Sequence, residues 1–419
     1  MNGKRMYEFL EKIGYTRTGG SIEELNTAKI IKEEIEKIGG FATIVPFEVN
    51  AYDIKKVLFT ATKESTTKEY EVSAYGWCGE DVNVSAPFYY FEGVDEVSKK
   101  QVSGKIALVN GYVGYDLYKV LIESKAVGFI SFSGEMRDSD DITDLDQREL
   151  RNQLATLGVI PGVHMKVKDA SDLVEFDPSF VEIKIEQVQS TCNSHNVIAE
   201  IEGTTYKDEV VVFTAHYDSV YFSTGVYDNG AGSAIHLELY RYFLENRPKR
   251  TVRFIWCGSE ERGLLGSKAY AYNLAKEELD KIVLCVNTDV AGPVLGRDSV
   301  CVIGDMEAVH MISSFAKEIG YSARVVQSIY SSDGIPFSDL GIPSINLMRF
   351  GVQGTAYIHN RHDTLSFMSA KSLEKTANFA KGLCERILSS CIMPINRVVP
   401  QNMVEEVNKY LKKTNKKGE

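Results

Sequence analysis

The chain has 419 residues, of which 44% are hydrophobic, 10% aromatic and 25% charged. These fractions exclude a mainly disordered protein, and the length favours two domains or one large domain with an insertion. The net charge of −11 argues against a general nucleic-acid binder, whose affinity depends on neutralising phosphates.

The sequence predicts no export or membrane segment. It begins MNGKRMYEFLEKIGYTR, which is polar and favours a helix, and no run approaches the roughly 18 apolar residues that span a bilayer. The seven cysteines form no C-x-x-C pair, so neither a disulfide framework nor a thiolate zinc site is indicated. We therefore expect a cytoplasmic protein that binds neither nucleic acid nor membranes. The oligomeric state is left open.

The first part of the chain shows three successive patterns. Residues 22–38 carry apolar side chains at helical spacing, and an extended stretch, FATIVPFEVNAY, follows. From about residue 69 to 177 short strands and turns dominate, and within them VSGKIALVNG and DLYKVLIESKAVGFISFSG predict strand, helix, strand. The charged segment 138–149, DSDDITDLDQRE, is interpreted as a solvated loop.

From residue 181 onward, apolar strands alternate with amphipathic helices. This alternation predicts an α/β fold with a mixed, mainly parallel sheet covered by helices on both faces. The predicted strands are 210–218, 251–261, 281–292 and 343–350, and the predicted helices are 233–247, 266–275, 306–320 and 370–391.

Acidic and histidine side chains collect where these strands end. Open α/β sheets bind ligands at the carboxyl ends of their strands, so we expect these side chains to converge. Two histidines with several carboxylates form a nitrogen and oxygen ligand set that suits a divalent metal such as zinc. In chain order the candidates are His216, Asp218, Asp228, Glu260, Glu261, Asp289 and His359.

Local spacing separates the chemical roles of these candidates. His216 and Asp218 point to the same side of a strand, so Asp218 can accept a hydrogen bond from the second ring nitrogen of His216. Asp228 lies between two glycines in a tight loop, where its carboxylate can face two ions. The adjacent Glu260 and Glu261 point in different directions. One can therefore bind a metal while the other acts as a general base.

Six motifs resemble those of the co-catalytic zinc aminopeptidases, the twenty-eighth family of the metallopeptidase classification. In the order of that family they are TAHYDSV, GVYDNGAGSA, GSEERGLLGS, VNTDVAG, SSDGIPFSDLGIPSI and IHNRHDT. The resemblance covers roughly residues 1–65 and 180–390 and implies the zinc exopeptidase fold. It implies a hydrolase with two zinc ions, replaceable by cobalt or manganese, that removes residues from peptides with a free N-terminus.

The resemblance also implies a role for each candidate. One metal would be held by His216 and Asp289, a second by Glu261 and His359, with Asp228 bridging both, Glu260 as general base and Asp218 orienting His216. It further implies a cis peptide bond between Asp228 and Asn229.

The chain departs from the family pattern near its last two motifs. His359 is preferred as the ligand because His362 falls at a variable position. Gly334 replaces a common His, and Ile358 replaces a Tyr that often precedes the last His. Neither position is a metal ligand, so activity is still expected, although the donor to the oxyanion is left open. Tyr357, one residue earlier, is expected to face away from the metals.

The sequence predicts a discontinuous catalytic domain with an insert. Residues 1–68 and 178–395 would form the catalytic domain, and residues 69–177 are similar to a mostly-β protease-associated insert. Residues 396–419 would form a basic C-terminal tail that begins with a short helix.

Three other functions use the same fold. Glutamate carboxypeptidases bind a free carboxylate with an arginine cluster, whereas here Arg349 stands alone near the site, which favours an aminopeptidase. Glutaminyl cyclases use a single zinc, and receptor-like relatives lose ligands. The complete ligand set argues against both.

Overall fold

The computed structural model describes residues 1–137, 145–146, 148–150 and 152–411. These residues fall into two compact units, residues 1–49 with the chain from 193 onward, and residues 50–192. Most of the charged segment 138–149 lies outside the described residues, as does the tail beyond residue 411.

The strands and helices account for most of the described chain. In chain order the strands are β1 (Ala42–Lys63), β2 (Thr66–Tyr70), β3 (Val72–Ala74), β4 (Asp81–Phe91), β5 (Ile106–Val109), β6 (Gly128–Ser133), β7 (Gly162–Lys166), β8 (Phe180–Ile201), β9 (Tyr206–His216), β10 (Arg250–Cys257), β11 (Ile282–Thr288), β12 (Gly296–Ile303), β13 (Ala323–Gln327) and β14 (Ser344–Gly351). The helices are α1 (Gly3–Ile13), α2 (Ile22–Lys37), α3 (Glu96–Gln101), α4 (Tyr115–Glu123), α5 (Asn152–Ala155), α6 (Val167–Phe176), α7 (Ala231–Glu245), α8 (Leu265–Ala271), α9 (Lys276–Lys281), α10 (Met306–Glu318), α11 (Gly334–Asp339), α12 (Ala370–Ser389) and α13 (Gln401–Tyr410). Within the described ranges, no helix is both long and apolar enough to cross a membrane.

The boundaries between the units differ from the predicted ones. The sequence places them after residues 68 and 177, whereas the units divide after residues 49 and 192. The reason is the length of β1 and β8, which have 22 residues each and extend through both boundaries. The sequence pattern changes where the short strands begin, so it cannot locate a boundary that falls in the middle of a long strand.

The first unit is built on a mainly parallel sheet. Its hydrogen-bonded strands follow the order β13-β12-β14-β11-β9-β10-β8. Strand β9 runs parallel to β10 and β11, β11 runs parallel to β14, and β12 runs parallel to β13. Two pairs are antiparallel, β10 with β8 and β12 with β14. The predicted mixed, mainly parallel sheet is confirmed.

Alternation along β9 explains why helices cover both faces of this sheet. Val211 and Phe213 are buried in a core that includes α1, α7 and α12. Val210 and Val212 point the other way, into a core shared with Phe337 of α11. A strand that is apolar on both faces requires helices on both, and this is the predicted arrangement.

Most predicted elements of this unit lie within a few residues of the observed ones. Helix α2 begins where Ser21 caps it by accepting a hydrogen bond from the backbone N–H of Glu24 at 3.1 Å. The sequence pattern does not predict strands β12 and β13. Strand β12 begins with Gly, Arg and Asp, and β13 is a five-residue strand at the end of the sheet with no fully buried side chain. The apolar run of β12 is confined to its last four residues, 300–303, and β13 is too short and too exposed for a clear pattern.

The second unit has its own sheet and core. Strands β4, β5, β6 and β7 are parallel in that order, and β3 pairs antiparallel with β7. Helices α3 to α6 belong to the same unit, whose core includes Leu108, Tyr118 and Phe129. That this unit is a protease-associated insert stays a prediction.

Candidate metal centre and active site

Neighbouring strands of the first unit end at the same edge of the sheet and carry the candidate residues there. Strand β9 ends at His216, and Asp289 directly follows β11. Glu260 and Glu261 lie in the turn after β10, and His359 lies in the loop after β14. Since these strands are parallel neighbours, their carboxyl ends bring residues that are distant in sequence into contact.

The first group of ligand atoms surrounds His216. Its Nε2 atom lies 3.1 Å from Oδ1 of Asp228 and 3.5 Å from Oδ1 of Asp289. Oε2 of Glu260 is slightly farther from the same nitrogen, at 3.9 Å. His216, Glu260 and Asp289 offer ligand atoms within 4.8 Å of one another, so geometry alone allows Glu260 as a ligand as well as a base.

The second group of ligand atoms surrounds His359. Its Nε2 atom lies 3.0 Å from Oε2 of Glu261 and 3.2 Å from Oδ2 of Asp228. Asp228 therefore turns one carboxylate oxygen toward His216 and the other toward His359. This places Asp228 between the two groups.

The residues present fit divalent cations. The four carboxylates are at most 9% exposed, and buried carboxylates at such density repel one another unless cations compensate them. Burial raises the pKa of Glu260 well above its usual value, and burial also raises the pKa of Glu261. Oδ1 of Asp289 is buried and accepts no hydrogen bond from any described residue. An oxygen-rich set with two imidazoles is the donor set of zinc and related ions.

The two histidines respond to the same negative charge. Burial lowers the pKa of His216, but Glu260 and Asp289 outweigh it and raise the pKa well above the usual value. The pKa of His359 is raised in the same way, since Glu261 and Asp228 overcome the effect of burial. The site as a whole therefore attracts positive charge.

Asp218 supports two of the candidate groups at once. Its Oδ1 atom lies 3.4 Å from Nδ1 of His216, so the two side chains are on the same side of the strand end. Its two oxygens also accept hydrogen bonds from the backbone N–H groups of Glu260 and Glu261, at 3.0 and 3.3 Å. Asp218 thus fixes the turn that carries the paired glutamates, a second role that spacing within β9 does not reveal.

The Asp228 segment has an irregular backbone. Asp228 lies in an irregular turn, Val226–Gly230, where its φ of −117° and ψ of 90° are not helical. The peptide bond between Asp228 and Asn229 is cis, which confirms the expectation. The Asn229 side chain donates to the backbone oxygen of Thr288 at 2.8 Å and accepts from the N–H of Val290 at 3.2 Å. Asn229 thereby ties the Asp228 turn to the residues on either side of Asp289.

Sequence reasoning missed several buried residues near the site. Asp363 is fully buried and accepts hydrogen bonds from the backbone of the Asp228 turn. Asp333 is also fully buried, and burial raises its pKa to about 7. Burial and the nearby Asp289 raise the pKa of Tyr330 well above its usual value, so its hydroxyl stays protonated and can donate. The signal for Asp333 and Asp363 is their place inside SSDGIPFSDLGIPSI and IHNRHDT, the last two of the six motifs.

The last motif contains two other residues that the sequence singles out, Ile358 and His362. The ring of His362 packs against Tyr357 with centroids 5.2 Å apart, and the backbone N–H of His362 donates to Oδ1 of Asn360. Ile358 is 45% exposed and carries no donor. His359 is therefore the histidine of this loop whose ring nitrogen contacts Asp228 and Glu261.

The chain is similar to known peptidases in sequence. The sequence profile of peptidase family M28 matches residues 196–383. The chain is 29% identical over 229 residues to aminopeptidase YwaD of Bacillus subtilis, a match that covers 52% of this chain and 50% of that protein. It is 41% identical over 108 residues to an aminopeptidase of Pseudomonas aeruginosa, covering 26% of this chain and 20% of that protein. The chain thus spans half or less of the length of these curated relatives.

Solved structures share the fold over nearly the whole chain. BSAP, a zinc aminopeptidase from Bacillus subtilis, superposes with a TM-score of 0.78 at 22% identity, covering 95% of this chain and 99% of that one. The aminopeptidase from Aneurinibacillus sp. strain AM-1 gives a TM-score of 0.71 at 22% identity, with 95% and 96% covered. The segment that resembles peptidase family M28, residues 196–383, includes every candidate ligand.

Proposed function

We propose that this chain is a metal-dependent aminopeptidase that uses two divalent ions, with zinc as the expected metal and cobalt or manganese as substitutes. The observation that carries the proposal is the position of Asp228, whose two oxygens lie 3.1 and 3.2 Å from the Nε2 atoms of two different histidines. A carboxylate in that position suits two ions side by side. The names of the relatives, aminopeptidases and a zinc aminopeptidase, support the same reaction.

Each candidate residue has a proposed role. His216 and Asp289 would hold one ion, Glu261 and His359 the other, and Asp228 both. Asp218 would fix the ring of His216. The distances within each group support this division. Oε2 of Glu260 lies 3.9 Å from Nε2 of His216, which is a suitable position for a base beside the first ion.

Glu260 is the proposed general base. Bound ions would supply a more acidic water and stabilise negative charge on the scissile carbonyl oxygen. Glu260 accepts the proton of the attacking water, holds it in its buried position, and donates it to the departing amine. Asp218 keeps the Glu260 backbone in place through the hydrogen bond at 3.0 Å.

The contacts of Arg349 favour an aminopeptidase over a carboxypeptidase. Its Nη1 donates to Oδ2 of Asp298 at 2.9 Å. Its Nε and Nη2 donate to the backbone oxygens of Pro293 and Val294. Arg349 is 8% exposed and its guanidinium donors are taken up by these hydrogen bonds, so it is poorly placed to bind a substrate carboxylate. The acidic site instead suits the ammonium group of a free peptide N-terminus.

The same bridging carboxylate argues against a cyclase and against a receptor-like module. A single-zinc cyclase or an inactive module does not need one histidine at each oxygen of Asp228. Peptides with a free N-terminus are therefore the proposed partners. A cytoplasmic location is also a proposal, supported by seven cysteines that are all free thiols.

Elemental analysis combined with chelation tests the proposal. The purified chain should hold two metal ions after reloading with zinc. Removal of the ions should abolish hydrolysis of an aminoacyl p-nitroanilide, and zinc, cobalt or manganese should restore it. Full activity in thoroughly demetallated protein would contradict the proposal.

A further inference from the structure

We propose that Arg17 and Asp363 form a clamp on residues 224–228 that aims the carboxylate of Asp228 at both metal positions. Both are positioning residues, since they act through the backbone of the Asp228 turn. The inference rests on the proposed two-metal site and adds two residues that none of the predicted roles included.

Asp363 holds one side of this turn. It is fully buried, and its Oδ1 and Oδ2 atoms accept hydrogen bonds from the consecutive N–H groups of Tyr227 and Asp228, at 2.8 and 3.0 Å. Its own backbone oxygen accepts a hydrogen bond from the hydroxyl of Thr224. Because both oxygens grip neighbouring amides, the direction in which the Asp228 side chain leaves the backbone is fixed.

Arg17 holds the other side of the turn. It is fully buried and follows helix α1. Its guanidinium donates to the backbone oxygens of Tyr217, Thr224 and Gly225, the last at 2.7 Å. A planar group with five donors can hold several carbonyls at once, which a lysine ammonium cannot match in geometry. Arg17 thus joins the residue after His216 to the start of the Asp228 turn.

Charge explains why the two residues occur together. The guanidinium of Arg17 donates to neutral backbone oxygens, so its buried charge must be compensated by negative charge nearby. Asp363 contributes the largest favourable charge interaction with it, followed by Asp218. Arg17 donates to backbone oxygens of this segment and Asp363 accepts from its backbone N–H groups. The Asp228 turn is therefore held by two side chains of opposite charge.

The clamp also links the two metal positions. Asp363 lies in the same loop as His359, so its hold on the turn fixes His359 relative to Asp228. Asp218 has the same relation to the paired glutamates, because it too accepts from two consecutive amides. Loss of such a supporting residue typically lowers metal affinity by about 10- to 100-fold.

Zinc binding by the full-length chain tests the clamp without relying on peptidase activity. The variant Asp363→Asn keeps the size of the side chain but presents an NH2 group to one of the two amides. Arg17→Lys keeps the charge but not the fork of donors. Glu238→Gln is the matched control. Glu238 lies on helix α7, is buried and forms an ion pair with Arg5 of helix α1, so it lies outside the proposed clamp and the candidate ligands. Zinc affinity is measured by competition with a chromophoric chelator, and the zinc-dependent rise in melting temperature is measured alongside.

We expect Asp363→Asn and Arg17→Lys to bind zinc about 10- to 100-fold more weakly than the parent, with a smaller rise in melting temperature on adding zinc. Glu238→Gln should lower the melting temperature of the metal-free chain but keep the parental affinity. Parental zinc affinity in a folded Asp363→Asn or Arg17→Lys variant would overturn the clamp and leave the proposed function intact. If the parent itself bound no zinc, the proposed function and the clamp would fall together.

Discussion

Replacing each of the paired glutamates by glutamine separates the base from the ligand. Gln has the size of Glu but cannot accept a proton, so Glu260→Gln should lower kcat by about 10² to 10⁴. That range equals about 2.7–5.5 kcal/mol in the transition state. The structure sets the contrast, since Oε2 of Glu260 is 3.9 Å from the nearest candidate imidazole nitrogen, whereas Oε2 of Glu261 is 3.0 Å from its own.

Two measurements on each variant complete this test. The kcat is measured with an aminoacyl p-nitroanilide at saturating zinc, and bound metal is counted by elemental analysis after gel filtration. Glu260→Gln should keep both ions, and Glu261→Gln should lose one. Because Glu260 also lies within ligand distance of His216 and Asp289, the geometry permits the reverse outcome, and the test is a sharp one. Metal loss in Glu260→Gln with full occupancy in Glu261→Gln would refute the assignment.

Three further predictions concern the surroundings of the site and the second unit. Tyr330→Phe should lower kcat more than Tyr357→Phe, because the charges of Asp289 and Asp228 act on the Tyr330 hydroxyl whereas the ring of Tyr357 packs on His362; equal kcat values for the two variants would exclude Tyr330 as a donor. Asp218→Asn should weaken zinc binding by about 10- to 100-fold in a chelator competition, since the amide has one oxygen for the two backbone N–H groups of Glu260 and Glu261 and removes the negative charge beside His216; unchanged affinity would argue against that role. Burial lowers the pKa of His164 to about 3, so the folded chain binds fewer protons at this residue than the unfolded chain does. The free energy of unfolding should therefore fall by about 2 kcal/mol as the pH drops from 7 to 5. In urea unfolding, His164→Asn should reduce this loss, whereas a substitution of the exposed His310 should not; identical pH dependence in both variants would contradict the reasoning.

The convergence of the candidate residues can be predicted from the sequence because its physical cause is local. Apolar strands end where polar residues begin, and parallel strands align their carboxyl ends, so the strand pattern alone places His216, Asp289 and the paired glutamates at one edge. The preference for His359 over His362 depends on the family resemblance. The contacts of His359 with Asp228 and Glu261 favour the same residue.

The supporting residues cannot be predicted in the same way. Arg17 lies in a polar turn near the N-terminus, and Asp363 lies more than a hundred residues after the turn it holds. Their function depends on backbone amides and carbonyls that side-chain patterns do not encode. The observed unit boundaries differ from the predicted ones for a related reason, because residues 49 and 192 lie inside the long strands β1 and β8, where the strand pattern does not change.

The central claim is that this chain uses two metal ions to remove residues from the free N-termini of peptides. Mass spectrometry of the products from a peptide and its N-acetylated counterpart, incubated with zinc-loaded protein, tests this most directly. We predict stepwise loss of N-terminal residues from the free peptide, no cleavage of the acetylated one, and no products from either after chelation. Release of C-terminal residues, or equal cleavage of both peptides, would contradict the account.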